Sequence, residues 1–293
     1  MASFESRMIL FILHKLNTKR SFEHYFKRGK LDSEVSKKPN RKLKSLANIT
    51  KKEVSGRSIY TMIPKNQMSD IHVLYFHGGA YVLGLKNHHY NFISRCIKFI
   101  GCKVTIIDYP LAPRYTAKDA YEVAVAVYKG IIKTESAEKI VLMGDSSGGG
   151  LAIGLAQYLR DKQIPQPKQI ILLSPWLDVT MQNPDMTAID KLDPILSIEG
   201  LKMAGQAYAG FQDPKNPYIS PMYGTFEDLG AISLFTSIND ILNADARKLK
   251  GMLEQQGVGI RYEEYSGLFH DWMIFDISES RDVIATIKEI LGN

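Results

Sequence analysis

The 293-residue sequence contains a serine in a setting that is typical of a catalytic nucleophile. Ser146 is the centre of Gly-Asp-Ser-Ser-Gly at 144–148, which follows an apolar run at 140–143 and precedes leucines at helical spacing. A strand that turns sharply into a helix at Gly-x-Ser-x-Gly exposes the serine hydroxyl, and the glycines leave room for the turn. The pattern predicts that Ser146 is a nucleophile, whereas the alternative is an ordinary Gly/Ser-rich loop.

A serine hydroxyl becomes a good nucleophile only beside a base, and the base needs an orienting acid. In the fold that this turn suggests, the chain order is nucleophile, acid, base. Of the seven histidines only His270 follows Ser146, so this order selects His270 as the base. It follows the strand-like segment 260–265, at the strand end where open α/β sheets bind ligands. The competing interpretation is a structural histidine in a turn.

Several carboxylates compete for the role of the acid. Asp240 falls in the loop after the apolar run 231–237, which is typical of a core strand. Asp245 comes near the start of the next helix, where a carboxylate is favoured by free N–H groups and the helix dipole. Asp271 is the sequence neighbour of His270, and we expect its side chain to be poorly placed to orient that ring. We therefore predict Asp240 as the acid and Asp245 as a helix-initiating residue.

A third motif could stabilise the negative oxygen that forms during acyl transfer. The strand-like segment 71–76 leads into His77-Gly78-Gly79-Ala80, one strand and one helix-sized segment before the serine turn. Consecutive glycines let backbone N–H groups approach a substrate closely. We predict an oxyanion hole made of the N–H groups of Gly78, Gly79 and Ser147. An ordinary Gly-Gly turn is the alternative.

These residues lie at the ends of segments that alternate regularly from about residue 56. The alternation predicts a mostly parallel central sheet with helices on both faces, which is an α/β fold. Predicted strands are 58–63, 71–76, 104–108, 140–143, 169–173, 231–237 and 260–265. Predicted helices are 91–100, 117–135, 148–162, 245–256 and 280–291.

Positive charge is concentrated at the start of the chain. Residues 1–53 contain 14 Lys and Arg against 5 Asp and Glu, a net charge of +9, while the whole chain carries +6. A helical arm with a solvated basic face is the plainer interpretation, and attraction to an anionic membrane surface or an anionic substrate is the sharper one. The apolar stretch 8–13 is too short to span a bilayer and lacks the cleavage site of a signal peptide.

The rest of the composition excludes several classes of function. Two cysteines, Cys96 and Cys102, make no disulfide framework, so we expect buried, unreactive thiols and a cytoplasmic location. His88 and His89 are adjacent and lack metal-ligand spacing, so we place them in a loop or at the substrate rim. Phosphate-binding glycine loops and nucleic-acid modules are absent from the sequence. We therefore predict no cofactor, no metal and no nucleic-acid partner.

Taken together, these motifs resemble the hormone-sensitive-lipase-like family of α/β-hydrolase carboxylesterases. The departures from the family pattern are Ala80 in place of a third glycine, Ser147 in place of an alanine, and the local sequence around Asp240. Ala80 still offers a backbone N–H, so the oxyanion hole should survive. The residues that carry the resemblance, in the family's order, are 77–80, 109–113, 144–149, 174–176, 220–221, Asp240 and His270.

The resemblance implies further roles. His77 would hold the oxyanion loop, and Asp145 would support the serine turn without reacting. It also implies an α/β-hydrolase fold with a helical cap. The arm at 1–53 would form half of this cap, an insertion at about 178–223 in the catalytic domain 54–293 would form the rest, and the apolar stretch of the arm would contact the core or the substrate entrance.

The function implied is a serine carboxylesterase that acts on small-molecule esters with short to medium acyl chains. The same triad would also serve an amidase, a peptidase or a carbohydrate deacetylase. A non-catalytic ligand receptor on this scaffold is a third reading, and the retained His270 argues against it. Relatives are frequently dimers, so we expect a homodimer. Weak peripheral membrane contact through the basic arm is the remaining partner hypothesis.

Overall fold

A computed structural model of the protein describes residues 2–27, 36–66 and 69–292. The strands of its single sheet are Ala47–Val54 (β1), Arg57–Pro64 (β2), His72–Phe76 (β3), Lys103–Ile107 (β4), Ile140–Asp145 (β5), Gln169–Leu173 (β6), Ala231–Ser237 (β7) and Ile260–Tyr265 (β8). They are ordered β1-β2-β4-β3-β5-β6-β7-β8. β2 is antiparallel to both of its neighbours, and β3 to β8 all run parallel to one another.

Helices cover this sheet and extend beyond it. Within the described residues the α-helices are Phe4–Lys15 (α1), Thr18–Lys27 (α2), Arg41–Leu46 (α3), Asn87–Ile100 (α4), Ala117–Ile132 (α5), Ser147–Asp161 (α6), Met186–Asp190 (α7), Ile198–Ala209 (α8), Asn243–Gln255 (α9) and Ser278–Ile290 (α10). Short 3₁₀ turns lie at Ala137–Lys139, Pro221–Tyr223 and Trp272–Ile274.

The sheet separates two hydrophobic clusters because successive side chains of a strand point to opposite faces. On β3, Leu74 and Phe76 join the cluster beneath α5, α6 and α9. Val73 and Tyr75 join the other cluster, beneath α4 and α10. All five side chains of β3 are buried, as expected for a parallel strand that is covered on both faces.

The predicted α/β class with a mostly parallel, doubly covered sheet is therefore confirmed. Every predicted strand and helix is present, with ends that differ by a few residues. The largest difference is at α4, which begins at Asn87 instead of residue 91. The ring of His89 accepts a hydrogen bond from the backbone N–H of Lys86 at 3.0 Å, so polar residues without an apolar pattern form the first turn.

Strand β1 was not predicted, and it takes residues 47–53, which the sequence analysis gave to the arm. It lies at the edge of the sheet and pairs with β2 alone. Ala47 is its one buried residue, so the strand lacks the apolar alternation that identifies strands in a sequence.

The start of the chain packs against the segment at 178–223. The backbone N–H of Lys19 in α2 donates to the carbonyl of Pro194 at 3.0 Å, and its ammonium group lies 2.8 Å from Asp190. The ring of Phe22 lies against Gly200 of α8. These contacts join α2 to α8, while the division into arm, catalytic domain and cap stays a prediction. Part of the arm, residues 28–35, lies outside the described residues. A search of the described helices finds none with the length and apolarity that a bilayer crossing requires.

Candidate active site

Ser146 lies at the sharp turn between β5 and α6, as the pentapeptide predicts. Its backbone has φ 51° and ψ −121°, a left-handed conformation that is rare for a residue with a side chain. Neighbouring backbone leaves no room for side chains at the flanking glycines. A Cβ at Gly144 would lie 2.2 Å from the carbonyl oxygen of Gly148, and a Cβ at Gly148 would lie 2.1 Å from the carbonyl oxygen of Phe76. The turn thus requires both glycines.

Three strand ends bring the predicted triad together. The Nε2 atom of His270 lies 3.0 Å from the Ser146 hydroxyl oxygen, and its Nδ1 atom lies 2.8 Å from Asp240 Oδ2. These residues follow β8, β5 and β7, so they meet at the carboxyl edge of the sheet. Asp240 is fully buried, and its other oxygen accepts the backbone N–H of Leu242 at 2.9 Å. With Nδ1–H donating to Asp240, Nε2 is the ring nitrogen that faces the serine hydroxyl.

Asp245 lies in the first turn of α9, where the sequence analysis expected it. It binds the side-chain amide of Asn183 at 2.9 Å, and no contact with His270 is found in the described structure. Geometry therefore favours Asp240 over Asp245 as the partner of the imidazole. Burial raises the pKa of Asp245 to about 7.

The imidazole of His270 is surrounded by negative charge. Burial alone would lower its pKa, but the charges of Asp240 and Asp271 and their hydrogen bonds raise it well above the usual value. Asp271 does not reach Nδ1, as expected, yet its Oδ2 lies 3.1 Å from Nε2, the nitrogen that faces Ser146. The sequence does not predict this contact, because neither the spacing nor the residue types reveal a left-handed backbone at Asp271 (φ 56°).

The prediction that Gly78 contributes to the oxyanion hole needs correction. Its N–H donates to Asp145 Oδ2 at 2.9 Å, so this donor is already engaged. The N–H groups of Gly79, Ala80 and Ser147 make no hydrogen bond within the described residues. Gly79 and Ala80 line the same cavity as Ser146. The available donors thus lie one residue further along the loop than predicted.

His77 and Asp145 occupy the supporting positions that the resemblance implied. The ring of His77 stacks on Tyr109 with centroids 4.3 Å apart, and its Nδ1 donates to the carbonyl of Gly78 at 2.7 Å. Burial lowers the pKa of His77 to about 4, so the ring is neutral near pH 7.

Asp145 holds the loop from the other side. Besides Gly78, it accepts a hydrogen bond from the Tyr75 hydroxyl and lies 3.5 Å from His89 Nε2. Burial opposes ionisation of Asp145, but the charge and hydrogen bond of His89 and the Tyr75 hydroxyl bring its pKa down to about 2. An ionised carboxylate thus fixes the glycine loop beside Ser146.

A cavity of about 220 Å³ opens above the triad. His88 and His89 line it from the first turn of α4, a helix instead of the predicted loop, although the rim position is correct. Burial lowers the pKa of His88 to about 4. The apolar lining, which sequence patterns did not single out, comes from α2, the oxyanion loop, the segment before and within α8, and the turn after His270: Phe22, Leu83, Ile195, Leu196, Leu201, Ile274 and Phe275.

Both cysteines are free and buried, as predicted. Burial raises the pKa of Cys96 to about 12 and that of Cys102 well above its usual value, so neither thiol ionises near pH 7. Across the described ranges, no group of three or more His, Cys, Asp or Glu side chains is arranged to hold a metal ion.

Comparisons with known proteins agree with this geometry. A family model described as the alpha/beta hydrolase fold matches residues 73–274. An acetyl-hydrolase of Streptomyces hygroscopicus is 30% identical over 68% of this chain and 67% of its own. An esterase of Acinetobacter venetianus is 28% identical over 80% of this chain and 78% of its own. A solved esterase from the bacterial hormone-sensitive lipase family is 26% identical with a TM-score of 0.83, covering 99% of this chain and 98% of the other.

The chain belongs to the α/β-hydrolase family that this model describes. The α/β-hydrolase fold is confirmed, and so is the resemblance to hormone-sensitive-lipase-like proteins.

Proposed function

We propose that this ester-hydrolysing enzyme is a serine carboxylesterase with Ser146 as nucleophile, His270 as base and Asp240 as the acid that orients it. The observation that carries the proposal is the continuous relay from Ser146 Oγ to His270 Nε2 at 3.0 Å and from His270 Nδ1 to Asp240 Oδ2 at 2.8 Å. Relatives named acetyl-hydrolase, esterase and ethyl acetate hydrolase support ester substrates.

The reaction proceeds through an acyl-enzyme. His270 Nε2 takes the hydroxyl proton as Ser146 Oγ bonds to the ester carbonyl carbon, and Asp240 stabilises the imidazolium that forms. His270 then gives this proton to the leaving alkoxide, so the alcohol departs and the acyl group stays on the serine. Water repeats both steps and releases the carboxylic acid, which regenerates the free enzyme.

The negative oxygen of each tetrahedral intermediate needs donors that are free before the reaction begins. We assign this role to the N–H groups of Gly79, Ala80 and Ser147. Removing one such donor typically slows acyl transfer about 100- to 1000-fold. Asp145 and His77 support the loop and take no proton in the cycle.

Acyl-chain preference follows from the shape of the cavity. Its volume of about 220 Å³ and its apolar wall favour a small hydrophobic acyl group over a long chain. We therefore propose short- to medium-chain esters as substrates. We also propose a cytoplasmic location, which the free, buried thiols of Cys96 and Cys102 support. The homodimer stays a prediction.

Fluorophosphonate labelling combined with ester hydrolysis tests the triad. The protein should be labelled covalently, and Ser146→Ala should abolish both labelling and turnover, because the reacting oxygen is gone. Ser136→Ala is the matched control, since Ser136 is exposed and precedes the opposite end of β5. Equal labelling of the Ser146 variant would overturn the assignment. Rates on nitrophenyl esters from acetate to laurate should fall toward laurate, and matched amides would reveal an amidase.

We also propose where the basic arm meets a partner: the outer face of α1 contacts an anionic lipid surface. Phe4, Met8, Phe11 and Ile12 lie at helical spacing on this face and are 73%, 49%, 66% and 43% exposed. Such an exposed apolar helix face marks an interaction site. The acidic residue of α1, Glu5, is turned inward and accepts the backbone N–H of Ser278 at 2.9 Å.

Cations complete this surface. Arg7, Lys15 and Arg20 are exposed along α1 and α2, and the ammonium group of Lys15 lies over the ring of Phe11. The opposite side of α1 is tied down, because the buried Ser6 donates its hydroxyl to Glu279 of α10 at 2.7 Å. An apolar face with cationic flanks fits a lipid surface that is apolar inside and negative outside.

A further inference from the structure

A second carboxylate contacts the nitrogen that the proposed mechanism uses as the base. Asp271 Oδ2 lies 3.1 Å from His270 Nε2, and Ser146 Oγ lies 3.0 Å from the same atom. Asp240 binds the other ring nitrogen at 2.8 Å. The imidazole therefore has a carboxylate on each nitrogen, and one of them competes with the nucleophile.

The local backbone holds Asp271 in this position. Its φ of 56° and ψ of 25° are left-handed, and it immediately precedes the 3₁₀ turn Trp272–Ile274. Its N–H approaches the Ser174 hydroxyl at 3.4 Å. The other oxygen, Oδ1, is buried without a hydrogen-bond partner in the part of the chain that is described. A buried carboxylate with one unpaired oxygen is costly unless it serves the site that it lines.

The surroundings favour a shared proton between Asp271 and His270. Burial raises the pKa of Asp271 to about 7, opposed by the charge of His270 and assisted by those of Asp145 and Asp240. The other titratable groups around the cavity are His88 and His89 on α4 and Lys86 before it. Behind the imidazole, on the segment before α8, Asp193 accepts the backbone N–H of Ile241 in the Asp240 loop. If both Nε2 and Oδ2 lacked a proton, a lone pair would face a carboxylate, so one proton between them is the favourable state.

We propose that Asp271 is a positioning residue that shares one proton with His270 Nε2 and so keeps this nitrogen from accepting the proton of Ser146 until the shared proton is lost to solvent. The inference rests on the serine esterase mechanism proposed above. While the proton lies between Nε2 and Oδ2, Nε2 cannot accept the serine proton. Once it leaves, Nε2 accepts the hydroxyl of Ser146 and acylation begins. The activity therefore rises with pH, and the pH at which it rises is set jointly by His270 and Asp271.

The sign of the effect follows from the charge. A carboxylate beside the imidazole stabilises its protonated form, so removing the carboxylate lowers the pH at which the base becomes free. Asp271→Asn should move the acid limb of kcat/KM to lower pH by about one unit or more, with the alkaline plateau largely retained. At a pH below both limbs, the variant should be about tenfold faster for each unit of this shift.

Two pH profiles separate this inference from the proposed function: kcat/KM on nitrophenyl acetate, and the rate of fluorophosphonate labelling of Ser146. Asp276→Asn is the matched control, since Asp276 is exposed in the same loop and pairs with Arg281. Absence of labelling in the unaltered protein would defeat the esterase proposal itself. Labelling with an unmoved acid limb in the Asp271 variant, or a plateau loss alone, would overturn only this inference.

Asp271→Ser provides a second variant if the asparagine form does not fold, because serine removes the carboxylate with less bulk. The acid limbs of the kcat/KM profile and of the labelling profile should both move to lower pH, as for the asparagine variant. If the acid limb of the folded serine variant lies at the same pH as that of the unaltered protein, the shared proton is again contradicted.

Discussion

At the scale of single residues, the geometry of the site depends on glycine, because a residue without a side chain lets two backbone segments approach closely. The turn at Ser146 brings α6 so close to β3 that a Cβ at Gly148 would lie 2.1 Å from the Phe76 carbonyl oxygen. Phe76 ends β3, and the oxyanion loop begins at the next residue. The close approach therefore ties the position of Ser146 to that of the loop at 77–80.

We expect Gly148→Ala to distort this junction. Backbone cannot yield as a flexible side chain does, so the added methyl group should destabilise the protein by about 1–3 kcal/mol and reduce turnover. The control is Gly130→Ala in α5, where an added Cβ meets nothing within 4 Å. That change should leave turnover unaltered and stabilise the helix by about 0.5–1 kcal/mol. Urea unfolding and kcat/KM measure both variants, and equal stabilities would contradict the close approach.

The residue scale also separates what the sequence predicts from what it leaves open. Chain order leaves His270 as the only histidine after Ser146, while Asp240 is selected from several carboxylates by its place in the loop after a core strand. Chain order and residue type leave Gly78 and Ala80 undistinguished, since every backbone N–H has the same chemistry and only its direction decides its role. The Gly78 N–H is committed to Asp145 at 2.9 Å, a contact between residues 67 positions apart.

At the scale of elements, buried carboxylates link the segment 178–223 to the triad. Asp193 accepts the backbone N–H of Ile241, the residue after Asp240, at 2.9 Å. Its other oxygen accepts the N–H groups of Ile195 and Leu196, both at 2.8 Å. The side chain of Asp193 thus joins the cavity wall at Ile195 and Leu196 to the loop that contains Asp240. Burial and the charge of Asp240 raise the pKa of Asp193 to about 6.

Asp245 makes the second link, from α9 to Asn183, and it predicts a pH dependence of stability. Burial raises its pKa from 3.8 to about 7, so the folded state favours the protonated form. The protonated carboxyl of Asp245 contributes its full stabilisation at pH values below 3.8, its pKa in the unfolded chain. This contribution is lost as the pH rises through about 7. Asp245→Asn keeps an acceptor for Asn183 and carries no charge, so its Tm should exceed that of the unaltered protein at pH values above about 7.

Thermal unfolding across that pH range tests the expectation. The control is Glu254→Gln on the same helix, because Glu254 is exposed and pairs with Lys250 at the surface. This control should leave the pH dependence unchanged. An Asp245→Asn profile parallel to that of the unaltered protein would show that burial does not raise the pKa of Asp245 above its unfolded value.

Elements differ in how well sequence patterns predict them, and burial explains the difference. The parallel strands β3, β5 and β6 are buried throughout, and each contains a run of four apolar residues in the sequence. Edge strand β1 exposes most of its side chains and is held by pairing with β2, which leaves no apolar pattern. The wall of the cavity combines α2 with α8, and no local pattern predicts that two such distant helices meet.

At the scale of the whole molecule, charge and apolar surface are both concentrated at the start of the chain. Residues 1–53 carry a net charge of +9, while the rest of the chain is net negative. Five of the ten exposed large apolar residues in the described chain lie between Phe4 and Leu16. Phe22 of α2, the helix that follows α1, lines the cavity above Ser146. A substrate held in a lipid layer would therefore be close to the cavity.

The lipid proposal predicts binding to vesicles that depends on both charge and apolar contact. The protein should sediment with phosphatidylcholine vesicles that contain phosphatidylglycerol more than with phosphatidylcholine alone, and added salt should weaken this binding. The double variant Phe4→Ser/Phe11→Ser should lower the partition coefficient at least about tenfold, since each buried phenylalanine is worth about 1.5–3 kcal/mol. The ester-hydrolysis rate on a water-soluble substrate should not change, because neither ring lines the cavity.

A matched double variant distinguishes this surface from general hydrophobicity. Phe99 and Phe211 are also exposed, on other elements, so Phe99→Ser/Phe211→Ser removes equivalent rings without altering α1. This variant should bind vesicles as the unaltered protein does, and equal losses in both double variants would contradict a specific face. Light scattering measures the oligomeric state of the same variants. If the unaltered protein is a dimer that does not bind vesicles, and Phe4→Ser/Phe11→Ser is a monomer, the face of α1 contacts a second copy of the chain. The lipid proposal is then wrong.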